Sequence, residues 1–148
     1  MPTYTVTSVN LTLSSEQKTK IAGLITEAHS GATGAPGYFA QVIFSALDGG
    51  SHFIGGQPNR TPHLYILGLI RAGRTTEVKR AVMSRILEGV RAATDVGPED
   101  VWVYLQDIEA DQMIEFGRFL PQPGAERAWQ SGISAAKLKA FADAGIRV

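Results

Sequence analysis

The chain begins with an alternating pattern. Tyr4 and Val6 fall on one face and Thr3, Thr5 and Thr7 on the other, the period of a half-buried strand. At Ser8 and Val9 the parity shifts and Val9, Leu11 and Leu13 continue the apolar face, which predicts a bulge or a strand end. Ser14-Ser15-Glu16-Gln17 follows, a Ser with Gln three residues on, the pattern of a capping box at a helix start. The next segment sets Ile21, Leu24, Ile25 and Ala28 on one helical stripe and runs into the glycine-rich SGATGAPG, expected to be a loop. YFAQVIFSAL then reads as a second strand.

The same succession returns. HLYILGLI reads as a buried strand, Thr75-Thr76-Glu77 opens a helix with Val78, Val82, Ile86 and Val90 spaced by four, and VWVYLQDI is again a strand. Laying Ser14-Ser15-Glu16-x-Lys18 on Thr75-Thr76-Glu77-x-Lys79 puts Ile21 on Val82 and Ile25 on Ile86, at a constant offset of about sixty residues. The reading is two tandem β-α-β units, about residues 2–47 and 62–108, each with parallel strands joined by a helical crossover. The intervening DGGSHFIGGQPNRTP is expected as a loop or short hairpin. From about residue 109 a C-terminal extension carries Met113 to Leu120, a PQPG turn and a polar, Ala-rich tail expected to form a last helix. Neither unit alone covers both faces of its sheet, so one fused α/β (α+β) domain over residues 1–148 is expected, and self-association with it.

Composition narrows the partners. Fourteen basic and fourteen acidic side chains cancel, which removes the electrostatic footprint of a nucleic-acid binder. The absence of cysteine excludes disulfides and thiolate metal sites. The first residues lack a basic stretch followed by an apolar core, and the longest apolar run falls far short of a membrane span, so a cytoplasmic protein is expected.

Candidate chemistry starts at Pro2. Methionine before proline is normally removed, so the mature chain is expected to begin with a secondary amine. An α-amino group titrates at about 7.7 to 8.0, and burial or nearby cations lower that, which suits it to general acid-base work near neutrality. The plainer reading is that proline is merely tolerated there. Arg71-Ala72-Gly73-Arg74 follows an apolar strand and precedes a helix N-terminus, where guanidinium forks and backbone N–H groups favour a carboxylate, although arginine beside a turn is often just solvated. His29 ends the apolar stripe of the first helix, where a lone histidine is more often a packed, hydrogen-bonded core residue than a functional one. Tyr104 lies in VWVYLQD, and Glu115 lies among apolar neighbours in QMIEFGRFLPQPG, where burial would suit it to proton transfer and exposure would make it an ordinary surface acid. His52, His63, Asp107 and Glu109 show no metal-ligand spacing.

Together these pieces resemble the tautomerase superfamily, and within it the cis-3-chloroacrylic acid dehalogenase group. The resemblance rests on Pro2, the tandem units, His29, the RAGR pair, the WVY strand and EFGRFLPQPG, and covers Pro2 to Trp129. It implies a four-stranded sheet with helices on one face, a homotrimer, and an enzyme needing neither metal nor organic cofactor. It implies Pro2 as acid or base, Arg71 and Arg74 assisted by His29 as the holders of a small carboxylate substrate, and Tyr104 with Glu115 as the pair that positions or activates water. Hydrolytic dehalogenation of a 3-haloacrylate and keto-enol tautomerisation are the implied reactions. The loop SGATGAPGYFA departs from the dehalogenase pattern. A tautomerase with little dehalogenase activity, and a non-catalytic partner-binding protein on the same fold, are the competing expectations.

Overall fold

A computed structural model describes residues 2–146. The first unit is β1 (Thr3–Val9), α1 (Ser15–Thr33) and β2 (Gln41–Leu47); β1 and β2 are parallel, with Thr3 opposite Gln41 and Val9 opposite Leu47. A small antiparallel hairpin, β3 (Phe53–Ile54) and β4 (Gln57–Pro58), fills the glycine-rich connection. The second unit repeats the first: β5 (His63–Arg71), α2 (Thr76–Thr94) and β6 (Val101–Ile108), with β5 and β6 parallel. The units join through an antiparallel β1–β5 pair into one four-stranded sheet of order β2-β1-β5-β6.

Patterning explains the layers. Tyr4, Val6, Leu64, Ile66 and Ile70 from the inner strands meet Ile21 and Ile25 of α1 and Val82, Ile86 and Val90 of α2 in one buried core. Both helices start as their sequences suggest. The Ser14 side chain accepts from the Gln17 amide while the Gln17 side chain accepts from the Ser14 amide, and Thr75 accepts from the Val78 amide. The other face of the sheet stays open in the single chain, with Ile43, Leu47, Trp102 and Tyr104 exposed.

Of the two readings at Ser8–Val9 the strand end holds, and two other local expectations change. β1 pairs residue by residue with both neighbours through Val9, so Ser8–Val9 holds no bulge; the strand ends where Asn10 turns left-handed at φ 52°. α1 runs on through Ser30 to Thr33 before Gly34 caps it, because the His29 carbonyl accepts from the Thr33 hydroxyl and the Ser30 carbonyl from the Gly34 amide. The second strand starts only at Gln41, since Gly37–Phe39 form a 3-10 turn that sends the Phe39 ring inward.

The C-terminal segment folds over one end of the sheet. It contains the hairpin β7 (Ile114–Glu115) and β8 (Arg118–Phe119), then α3 (Glu126–Gln130) and α4 (Ala135–Asp143), two short helices where one was expected. Phe39, Ala110, Leu120, Trp129 and Ile133 form a second apolar cluster there. The Trp129 indole N–H donates to the Phe119 carbonyl at 2.6 Å, and Arg118 donates to the Trp129 carbonyl at 2.7 Å. Among the described residues no helix is long and apolar enough to cross a membrane.

Candidate active site

Pro2 is buried where β1 begins, and its carbonyl accepts the Gln41 amide of β2 at 3.0 Å. Met1, whose removal is expected, lies outside the described residues. Because β1 and β5 run antiparallel, with Thr3 opposite Leu69, the start of β1 lies beside the end of β5. That end carries Arg71. Gly73, at φ 99°, turns the chain between the two arginines, a conformation that costs an ordinary residue dearly, and Pro123 packs against it. The result is one pocket lined by Pro2, His29, Arg71 and Arg74, walled by Ala35, Phe39, Pro121 and Trp129.

His29 is held from below. Its Nδ1 lies 2.8 Å from the Tyr4 hydroxyl, and both side chains are buried. Burial, and then the charge of Arg74, lower the His29 pKa from 6.5 to about 4, so the ring is neutral near pH 7. Burial raises the Tyr4 pKa, which keeps the phenol protonated. We assign the phenol as donor to Nδ1, leaving the ring hydrogen on Nε2 as a donor for a ligand. Tyr4 fits because its partner in β5 is Gly68: a Cβ there would fall 2.5 Å from Tyr4 Cε1 and 2.6 Å from Leu105 Cδ2.

The arginines differ. The Arg71 side chain is 6% exposed; its Nη1 donates to the Pro121 carbonyl at 2.7 Å and its Nη2 pairs with Glu126 Oε1. Arg74 makes one long hydrogen bond, to the Thr33 carbonyl at 3.4 Å. Burial and the neighbouring charge of Arg71 lower the Arg74 pKa, with Glu126 acting in the opposite sense. Two guanidiniums this close favour an anion between them.

Tyr104 and Glu115 stand elsewhere. Tyr104 is 51% exposed on the open face of the sheet, edge-on to Tyr65 at 5.3 Å. Glu115, half-buried in β7, lines a broad open groove beyond Phe39, whose ring forms a wall of both spaces. The turn after Glu115 places Phe116 at φ 52°, rare for a bulky side chain, with its ring packed edge-on to Trp129 at 5.9 Å. Sequence reasoning passed over Tyr4 and Glu126. A hydroxyl on the buried strand face and an imidazole on the buried helix stripe need partners, and that requirement could have suggested Tyr4 with His29. No sequence signal joins Glu126 to Arg71. Among the described residues no group of three or more His, Cys, Asp or Glu side chains could hold a metal ion.

A family profile described as putative oxalocrotonate tautomerase enzyme matches residues 1–132. The chain superposes on the crystal structure of N1, a member of the cis-3-chloroacrylic acid dehalogenase family, with 33% identity and a TM-score of 0.85, over 95% of this chain and 99% of that one. This chain belongs to the tautomerase superfamily, in its cis-3-chloroacrylic acid dehalogenase group. Two further tautomerase-fold structures match at lower identity. Pt0534 inactivated by 2-oxo-3-pentynoate is 26% identical, with a TM-score of 0.72 over 80% of this chain and 94% of that one. A fused 4-OT described as an asymmetric trimer is 25% identical, with a TM-score of 0.70 over 86% and 98%. No curated protein sequence matches. In this tautomerase-superfamily chain, as the geometry stands, Pro2 shares its pocket with a neutral histidine and two arginines.

Proposed function

We propose that the chain is a cofactor-independent enzyme that uses the Pro2 nitrogen as acid and base on small unsaturated carboxylates. The reactions are hydrolytic dehalogenation of the cis-3-chloroacrylate type and keto-enol tautomerisation. The observation that carries this reading is the burial of Pro2 in one pocket with Arg71, Arg74 and His29. Once Met1 is removed the ring nitrogen is an amine, and burial with two nearby cations lowers its pKa from the reference of about 7.7 to 8.0.

Each reaction uses one protonation state. In tautomerisation the neutral nitrogen takes the enol hydroxyl proton and returns it to carbon, while the arginines hold the carboxylate. In dehalogenation Arg71 and Arg74 draw electron density from the double bond and protonated Pro2 gives its proton to C2, while Glu115 with Tyr104, which lie outside the Pro2 pocket of the single chain, deliver water to C3 only where assembly brings them to it. The halohydrin then loses halide and its hydroxyl proton, leaving malonate semialdehyde. We propose a cytoplasmic homotrimer built from a single domain. The exposed apolar sheet face and the trimeric fused 4-OT support the assembly.

A second reading, a tautomerase with little dehalogenase activity, is favoured by the placement of Tyr104 and Glu115 outside the Pro2 pocket. Proton NMR of products from cis- and trans-3-chloroacrylate, run beside phenylenolpyruvate ketonisation, separates the two. Malonate semialdehyde from the cis isomer is expected; ketonisation without it supports the second reading. Unchanged rates in Pro2→Ala contradict both, and turnover of none of these substrates by the wild type favours a non-catalytic binding protein. 2-Oxo-3-pentynoate, the inactivator of Pt0534, is expected to add to the Pro2 nitrogen and to be found on the N-terminal peptide.

A further inference from the structure

Glu126 brings a negative charge of the chain's own into the pocket. It opens α3 one residue after the PQPG turn, behind the N-cap Ala125, with its side chain 28% exposed. Oε1 accepts from Arg71 Nη2, and Oε2 accepts the Gly124 amide at 2.8 Å. Arg71 in turn donates to the Pro121 carbonyl, so both ends of this short segment grip one guanidinium. Partial burial pushes the Glu126 pKa up, but the hydrogen bond from Arg71, backbone N–H groups and the charge of Arg71 outweigh it and hold the carboxyl below its usual range. The group is ionised wherever the enzyme is expected to work.

We infer that Glu126 is a specificity-determining residue: its carboxylate neutralises Arg71 from within the chain and so restricts the site to ligands with a single carboxylate. The inference rests on the reading that the arginine pair holds the substrate carboxylate. With the Pro2 nitrogen neutral, Arg71, Arg74 and Glu126 leave one net positive charge, carried by Arg74, and a monocarboxylate balances it. Among the described residues that line the pocket, a second carboxylate meets no further cationic side chain. It faces Glu126 itself and walls formed by Ala35, Phe39, Pro121 and Trp129, where an unpaired charge is costly. Like charge set against the wrong ligand gives selectivity even when it adds no affinity for the right one.

Crotonate and fumarate test this, because a methyl group in one stands where the other has its second carboxylate. Their dissociation constants are measured by calorimetry at pH 8.5 for the wild type, Glu126→Gln, Glu126→Asp and Arg74→Ala. The wild type is expected to prefer crotonate at least tenfold. Glu126→Gln, which keeps an acceptor for Arg71 but loses the charge, is expected to shift the ratio at least tenfold toward fumarate with crotonate affinity little changed. Glu126→Asp, which keeps the charge, is expected to hold the wild-type preference. Equal wild-type affinity for the two ligands overturns the inference, as does a Glu126→Gln variant that weakens both in proportion, the result of a purely structural clasp. Crotonate binding that is absent, or indifferent to Arg74→Ala, overturns the arginine-pair reading and this inference with it.

Discussion

The internal repeat gives the sheet two related ends, and they hold different chemistry. The offset that lays Ser14 on Thr75 also lays Pro2 on His63, Asn10 on Arg71, Leu13 on Arg74 and His29 on Val90. At one end the members of these pairs are a proline, two arginines and a histidine around a pocket. At the other, the Asn10 amide donates to the carbonyls of Asn59 and Thr61, Leu13 and Val90 are buried in the core, and His63 stacks on His52 at 4.8 Å with no hydrogen-bond partner for either ring nitrogen. Equivalent backbone positions thus support a cationic pocket in one case and packing in the other. The fold supplies the location; residue type at the strand ends decides what the location does.

Exchanging the roles of the two ends gives the largest expected contrast. Pro2→Ala is expected to lower kcat/KM for phenylenolpyruvate ketonisation by about 10²- to 10⁴-fold, the usual worth of a positioned acid-base group, while His63→Gln leaves turnover of the folded enzyme unchanged. The next contrast sets Arg74 against its counterpart Leu13. Leu13→Ala is expected to cost about 2–5 kcal/mol of stability in urea unfolding with the site intact. Arg74→Ala is expected to cost about 1.5–3 kcal/mol of ligand binding, read in kcat/KM, with little change in the urea midpoint. A reversal of either pattern breaks the comparison.

His29 and Val90 differ in pH response. The folded His29 pKa is lowered to about 4, by burial first and Arg74 second, whereas the unfolded ring takes a proton near 6.5. The stability that the neutral ring contributes is therefore full above pH 6.5 and is lost as pH falls from 6.5 toward 4, by roughly 3 kcal/mol in all. Urea midpoints across this window are expected to fall for the wild type and to flatten in His29→Val, which copies the other end. The smallest expected effect belongs to the support beneath the site. Gly68→Ala forces the Tyr4 ring to shift and is expected to cost about 1–3 kcal/mol in thermal unfolding, with part of the loss appearing as a raised KM.

Local rules made the repeat legible. Alternation marked the strands, four-residue spacing marked both helices, and the Ser14–Gln17 capping box stands as its residues indicated. Parallel pairing within each unit follows from the helical crossover. Pro2, His29, Arg71 and Arg74 could be nominated because strand ends and a helix stripe fix where they lie, and they do line one pocket. What escaped depends on long-range contacts. Tyr4 reaches His29 only because Gly68 of a third element leaves room. Glu126 reaches Arg71 only after the hairpin and the PQPG turn fold the C-terminal segment back, a path that no local pattern encodes. Tyr104 faces outward for a plainer reason, since strand alternation puts it opposite the Val103 and Leu105 side that packs on the core.

The central claim is that the Pro2 nitrogen is the working acid and base, and its own titration tests this most directly. In protein labelled with 15N-proline, the nitrogen resonance of Pro2 is expected to titrate as an amine with a pKa below the reference of about 7.7 to 8.0. The same pKa is expected to appear as the rising limb of kcat/KM for enol ketonisation and as the falling limb for cis-3-chloroacrylate hydration. A Pro2 nitrogen that does not titrate, or one whose midpoint matches neither limb, contradicts the account.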